Sequence, residues 1–453
     1  MYWKGLGKKE KPTLMYNVLV VFHYYQFPLR ATIRDHLYSF RNYSTHRCFY
    51  LNLAVREVPG YLKKIPFDLI VFHTIFLSSR WAPELFKATV EKARILKSIN
   101  AVKIALPQDE FMNTTMLCDF INEFGIQHVF SVAPESEWPK IYPTVDFEKV
   151  HFHQVLTGYL DEATVAKVTR IRGSVQSRGI DIGYRAWRAE PWLGSHGILK
   201  TRIADIFLKE ARRRGLKADI STRNEDTILG DDWYRFLSNC KYTIGVEGGA
   251  SLLDGDGKIR ESVGRYLALH PDAGFEEVEG TCFKDRDHSL RLFAISPRHL
   301  EACATKTCQI LIEGQYNGIL IPGKHYIELK RDFENLDQVF SVMEADQVRE
   351  EIVERAYQDI VESGRYSYRT FVREILETSL NQGEIAPSSL VFSLWRFILY
   401  NWMDIGEALA WMRIAVQLKL YGRLKMRLPQ PVISLIRKIR WATKQKDPKP
   451  SSQ

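Results

Sequence analysis

No Cys-x-x-Cys pair occurs in the 453 residues, and none of the six cysteines, Cys48, Cys118, Cys240, Cys282, Cys303 and Cys308, has a histidine at zinc spacing. This excludes a structural zinc ribbon or finger; scattered thiols in apolar or small-residue contexts suit a reducing compartment. An uninterrupted apolar run of the roughly twenty residues a transmembrane helix needs is also missing. The opening MYWKGLGKKEKPTL carries lysines but no run of signal-peptide length, so a cytoplasmic chain is expected. Acids are scarce at the other end: from Arg413 onward Lys and Arg dominate and Asp447 is the only acid, so this tail carries most of the +9 net charge.

What is present is material for large cores. With 45% hydrophobic and 12% aromatic residues, a chain of this length supports two or three domains. Apolar runs alternate with amphipathic stretches: YNVLVVF, HRCFYLNLA, FDLIVF, AVKIALP and QHVFSVAP read as strands, and ATIRDHLYSF, PELFKATVEKARILKSI and NTTMLCDFINEFG as the helices between them. A second series follows the interval 147–176. Its strands are GIDIGYRAW, KADIS, KYTIGVEGG and QILIEG, and its helices HGILKTRIADIFLKEARRRG, DDWYRFLSNC and PRHLEACATK. Such alternation predicts parallel, doubly wound sheets. The expectation is an α/β fold of two Rossmann-like domains, 1–170 and 171–375, joined near 165–175, with a helical, amphipathic basic tail over 376–453.

Ligands of paired sheets of this kind bind between them, at the carboxyl ends of the strands. Polar residues that directly follow strands are therefore the candidates: His23, Tyr24 and Gln26; His73 and Thr74; Gln108, Asp109 and Glu110; then Arg185, Trp187, Arg188, Glu247, Glu313 and Tyr316. In GVEGGASLLDGDGK, Gly248 and Gly249 permit backbone N–H groups to approach an anion, although the stretch is neither G-x-G-x-x-G nor G-x-x-x-x-G-K-[ST]; a tight solvent turn is the competing reading. Arg185, and Lys200 on a helix opening with Gly194 and Gly197, would place fixed cations beside free N–H groups, as a diphosphate requires. In SPRHLEACATKTCQILIEG, Glu301 stands just inside a helix that starts at Ser296-Pro297. Taken alone, it reads as an acid complementing the helix dipole.

The run from SPRHLEACATK through ILIPGKHYIEL to ERAYQDIVESGRYSY resembles the carboxy-terminal half of bacterial GT-B glycosyltransferases, over roughly residues 178–375. The resemblance implies that Glu301, in its Glu-Ala pair, accepts hydrogen bonds from both ribose hydroxyls of a nucleotide sugar. It implies also that Arg185 and Lys200, with Arg298 and His299 alongside, clamp the diphosphate. Phe293 stands where many retaining members have the first acid of an E-x7-E pattern, which leaves the stereochemistry open, and CATKTC lacks the usual glycine of the turn.

In this topology an acceptor enters from the amino half, so a base that deprotonates its hydroxyl should follow a strand there. Asp109 ranks first, His73 second and His23 third. Fixed positive charge replaces a metal; Asp254 and Asp256 have Asp-x-Asp spacing but stand in a Gly-rich turn. The tail offers residues 390–412 for packing on the body. From 413 to 447, where Leu435, Ile436 and Trp441 alternate with Arg437, Lys438 and Arg440, it suits an anionic membrane surface. No nucleic-acid motif is present. The expected activity is transfer of a sugar from a nucleotide donor to a glycan or lipid-linked acceptor, as in cell-surface polysaccharide synthesis, without a metal or other cofactor. A sugar-nucleotide epimerase of the same fold and a non-catalytic nucleotide-sugar or glycan-binding subunit are the alternatives.

Overall fold

The structure, a computed structural model, describes residues 15–25, 30–380 and 394–427 and, within the last stretch, the side chains of 398–416. The first fourteen residues, Gln26, and the tail from Leu428 on, with Leu435 to Trp441, lie outside the described residues.

Six strands, β1 (Asn17–Phe22), β2 (Arg47–Asn52), β3 (Leu69–Phe72), β4 (Val102–Ala105), β5 (His128–Ser131) and β6 (His151–Gln154), form one parallel sheet in the order β2-β1-β3-β4-β5-β6. A second sheet is built from β7 (Ile180–Arg185), β8 (Ala218–Ser221), β9 (Cys240–Gly245), β12 (Cys308–Ile312) and β13 (Ile327–Leu329), in the order β13-β12-β9-β7-β8 and again parallel. Between β9 and β12 the short strands β10 (Gly248–Ala250) and β11 (Leu292–Ala294) make an antiparallel ribbon.

The central strands are mostly apolar because both of their faces are covered. Val18, Val20, Val71 and Ile104 pack under the helices Ala31–Tyr43 and Tyr368–Leu380, and Leu19, Val21, Ile70 and Phe72 under Phe76, Phe86, Phe120 and Phe124. In the second sheet Ile182, Ile244 and Ile310 meet Leu199, Ile203 and Phe207 of the helix Gly194–Arg214, while Leu311 meets Leu300 and Ala304 of the helix Pro297–Ala304. The fold class is therefore the expected one: two doubly wound parallel sheets facing each other across a cleft, the GT-B arrangement. In each sheet the winding reverses beside the first strand, at β1/β3 and at β7/β9, which opens a crevice at the carboxyl ends of those strands.

Three details differ from the expectation. The first series closes on β6 rather than β5, and β6 (His-Phe-His-Gln) lies in the interval that shows no strand pattern in the sequence. The joint lies at 155–161, not 165–175, because the helix Glu162–Gly173 already packs under the second sheet through Val168. There the chain runs beside its own return crossing: Leu160 N donates to Tyr366 O at 2.8 Å and Tyr368 N to Leu160 O at 3.0 Å. The lobes are also interleaved rather than divided at 170 and 375. Ala189, Trp192 and Leu193, and then Ala250, Leu252, Ile259, Val263, Val278, Phe283 and Leu292, complete the core beneath the first sheet, and Phe371, Val372 and Ile375 complete its other face. Backbone bonds fasten this excursion down: Asn113 N to Asp254 O at 2.8 Å, and Asp254 N to Phe111 O at 2.8 Å. Finally the helix Leu394–Arg427 lies along β2, with Met403, Ala410 and Ile414 buried.

Candidate functional site

A cleft of about 610 Å³ lies at the β7/β9 reversal. Its wall is formed by Tyr184 to Trp187 at the end of β7, Thr243 to Val246 at the end of β9, Ser296 to His299 and Glu301, and Gly230, Trp233 and Tyr234. The first lobe contributes Arg30, Ala31 and Thr32, at the amino end of the helix Ala31–Tyr43.

Glu301 is 7% exposed and lies on the second turn of its helix, not the first. Capping is done by others: the Ser296 hydroxyl accepts from Arg298 N, and His299 Nδ1 accepts from Ser296 N at 3.1 Å. The cap reading of Glu301 thus falls, and the carboxylate lines the cleft. Trp233 Nε1 donates to its Oε2 at 2.7 Å, while burial, the largest influence, raises its pKa against that bond and the nearby Arg298. A buried acceptor that lines a cavity is suited to hydroxyl donors.

Lys200 is half-buried in the same wall. Burial and then the charge of Arg298 bring its ammonium down to about 8, with Asp109 opposing. Arg298 is exposed, and its Nη1 is anchored on Arg185 O at 3.0 Å. These two cations face one space. His299 is buried beneath them and held neutral, its pKa pushed to about 3 by burial, Arg298 and Lys200, so it shapes the wall rather than charging it.

Arg185 borders the cleft, but its guanidinium is spent locally. Nε donates to Asp226 O, Nη1 to Tyr184 O and Asp219 O, and Nη2 to Asp219 Oδ1 at 2.7 Å, with the group stacked over Phe236 at 4.6 Å. It braces β7 against β8. Glu247 is buried with Oε1 accepting from Tyr316 N at 2.6 Å, which secures the turn after β12; burial raises its pKa. Gly248 reaches the cleft wall, but Gly249 is ribbon backbone, at φ +103°, where an added Cβ would fall 1.8 Å from Leu292 O. Close packing against β11 accounts for that glycine without an anion. Of the Asp-x-Asp spacing, Asp254 caps the helix Lys258–Leu269 by accepting from Ile259 N and Arg260 N, and Asp256 pairs with Lys258.

The three candidate bases are not equivalent. Asp109 follows β4 and lies near enough to Lys200 to influence its ionisation; Oδ2 accepts from Trp81 Nε1 at 3.1 Å. His73 does not face the cleft. It is 1% exposed, its Nδ1 accepts from Ile75 N at 3.3 Å, its Nε2 meets His36 Nδ1 at 2.7 Å, and burial holds its pKa well below 6.5. His23 is half-buried, with a pKa lowered by burial, and its charged neighbour is Lys92 rather than a cleft residue. None of the three is in the cleft wall itself; Asp109 is set apart by its nearness to Lys200, which is.

Several residues of the site escaped the sequence reading. Trp233 and Tyr234 open a helix that is recognisable by its period, but only the fold turns them toward Glu301. Arg80 is fully buried and donates to the carbonyls of Leu77, Gln108, Asp109 and Met112, so it holds the loop that presents Asp109.

No family model matches the sequence, and no curated protein matches it. Solved structures are similar at low identity. A glycosyltransferase from Rickettsia africae ESF-5 is 11% identical, with 82% of this chain and 100% of that one covered at a TM-score of 0.44. HepE from Anabaena, in complex with UDP-glucose, is 11% identical over 80% of this chain and 99% of that one, TM-score 0.44. Sucrose-phosphate synthase from Thermosynechococcus elongatus is 8% identical over 80% and 98%, TM-score 0.44.

Proposed function

We propose that the protein is a glycosyltransferase that moves a sugar from a nucleotide donor, held in the cleft of the second lobe, to a glycan or lipid-linked acceptor that approaches from the first. The observation that carries this reading is the convergence of a desolvated carboxylate, Glu301, and two adjacent cations, Lys200 and Arg298, on one cavity at the β7/β9 reversal. The carboxylate suits the vicinal hydroxyls of a ribose, and the cations suit a diphosphate. Trp187, Ile228 and Leu229 at the rim offer apolar surface to a base. The pair Lys200 and Arg298 takes the clamp role, since Arg185 is committed to β8.

Transfer forms a bond from the acceptor hydroxyl oxygen to the anomeric carbon and breaks the bond from that carbon to the phosphate oxygen, whose electron pair leaves on the diphosphate. Lys200 and Arg298 stabilise that growing charge, and Asp109 takes the hydroxyl proton. Glu301→Ala should weaken donor binding by roughly 1.5–3 kcal/mol, the value of charge-assisted hydrogen bonds, with thermal stability near wild type. The experiment is a thermal-shift screen of nucleotide sugars, followed by calorimetric titration of the best donor against both proteins. Equal affinity for wild type and a folded Glu301→Ala variant overturns the assignment of the cleft.

A further inference from the structure

The helix Leu394–Arg427 has two apolar faces, of which the structure covers one. Met403, Ala410 and Ile414 are buried on the first lobe, where Tyr400 meets Phe49 at 5.2 Å and Trp411 stacks on Phe22 at 6.2 Å. On the outward face Trp402, Ile405, Leu409, Met412 and Val416 follow one another at intervals of three and four, the spacing of a single stripe, and each is 51–58% exposed. A helix apolar on both sides is ordinarily enclosed. Apart from an edge contact of Trp402 with Tyr61 at 5.9 Å, the outward stripe has no cover among the described residues, and a contiguous exposed apolar patch of this kind marks a docking surface.

Charge identifies the occupant. Beyond Val416 the sequence turns cationic. From Arg413 to the last residue the chain carries eleven Lys and Arg against Asp447 alone. On the flank, Asp404 lies 3.7 Å from Arg41. A second copy packed on the same stripe in parallel register would bring two strongly basic segments together. A bilayer surface accepts both halves: apolar side chains enter the boundary between headgroups and acyl chains, and the cations meet anionic lipid. Among the described residues no helix is long and apolar enough to cross a membrane, so a helix of this kind would lie on the surface. We propose that the face Trp402–Ile405–Leu409–Met412–Val416 docks the protein on an anionic lipid surface, assisted by the basic segment that follows it. This rests on the helix and not on the reading of the cleft.

The test uses the full chain in flotation with vesicles of phosphatidylcholine alone or with about one third phosphatidylglycerol, a content high enough to give a clear surface potential. Wild type should float with the anionic vesicles, less so at high salt, and hardly with the neutral ones. The triple variant Ile405→Glu, Leu409→Glu, Met412→Glu should lose about tenfold or more of the partitioning, and Leu409→Lys should lose less. Its substitutions are on exposed positions, and unfolding curves check the fold; Leu409→Lys carries the test if the triple variant is unstable. Equal flotation of wild type and variants overturns the proposal, as does equal binding to both vesicle types. A dimer in sedimentation that the variant dissociates, with no flotation, assigns the face to a second copy. Absence of flotation with a variant several degrees less stable assigns it to a segment of the chain itself; either result overturns lipid docking.

Discussion

Asp109 adopts φ +52°, a left-handed conformation unusual for a residue other than glycine, and the Arg80 guanidinium beneath it holds its carbonyl at 2.6 Å. Conformational strain maintained by a buried arginine beside the cleft is the kind of feature that persists where geometry serves chemistry. Asp109→Asn keeps the shape, tolerates the left-handed backbone and retains an oxygen for Trp81. It should abolish transfer in a radiolabelled-sugar assay while donor affinity stays within about twofold, since binding and proton removal are separate steps; near-normal transfer removes Asp109 from the mechanism. Lys200 makes a prediction about pH. Its pKa is depressed to about 8, and the protonated form is the one a diphosphate needs. Donor affinity should therefore be constant below pH 7 and decline as pH rises through 8 and above, and Lys200→Arg should flatten that profile in titrations at pH 6.5 to 9.5. Asp109 was legible because it follows a strand, Glu301 because it stands in a recognisable Glu-Ala pair, and Lys200 because its helix opens with Gly194 and Gly197 after the strand of Arg185. Arg80 was not, because its partners are main-chain carbonyls up to 32 positions away, and main-chain acceptors leave no mark in a sequence.

Among the elements, legibility followed burial. β3 is apolar from end to end, and β1 and β12 are broken only by Asn17 and Gln309, because a sheet covered on both faces demands it; the expected strands coincide with these and with β9, where Lys241 and Thr243 interrupt the run. β6 is an edge strand with half-exposed residues, so its polar sequence gave no such signal. The double glycine invited a phosphate-loop reading; what it provides in the structure is room for β11, a cause visible only once Leu292 is in place. Glu407 carries the prediction at this scale. On the packed face of the helix Leu394–Arg427 it is 7% exposed, and burial lifts its pKa to about 7 against the attraction of Arg56, a hydrogen bond from Trp411 and the charge of Arg41. Because the folded pKa lies above the unfolded one, the stability this proton contributes is complete below about pH 4.5 and is lost as pH rises through 7, to a total of about 3 kcal/mol. Glu407→Gln should be more stable than wild type at pH 8 by up to that amount and nearly equal to it at pH 4.5. Urea midpoints at the two pH values measure this; a variant less stable at both would show that the carboxylate is held as an anion.

At the scale of the molecule, two parallel sheets could be inferred by counting alternating elements, yet the assignment of segments to lobes could not. Residues 248–294 follow β9 in sequence, but their Leu252, Ile259, Val263 and Val278 fill the first lobe's core, and the helix Tyr368–Leu380 returns to cover that lobe's other face. Nothing in their composition distinguishes apolar residues meant for a neighbour from those meant for a sheet of their own. Residues 1–170 expressed alone should therefore be insoluble or lack a cooperative unfolding transition, because both faces of the sheet lose partners; a soluble fragment with a sharp melt in near-ultraviolet circular dichroism would sink that expectation. The same interleaving governs how the protein is made. A ribosome adds roughly 5–20 residues per second, so the wait between the appearance of Phe72 and that of Leu292 is on the order of ten to forty seconds. Through that interval the nascent first lobe exposes unfinished apolar surface, although the strands β7 to β9 of the second lobe have already been made.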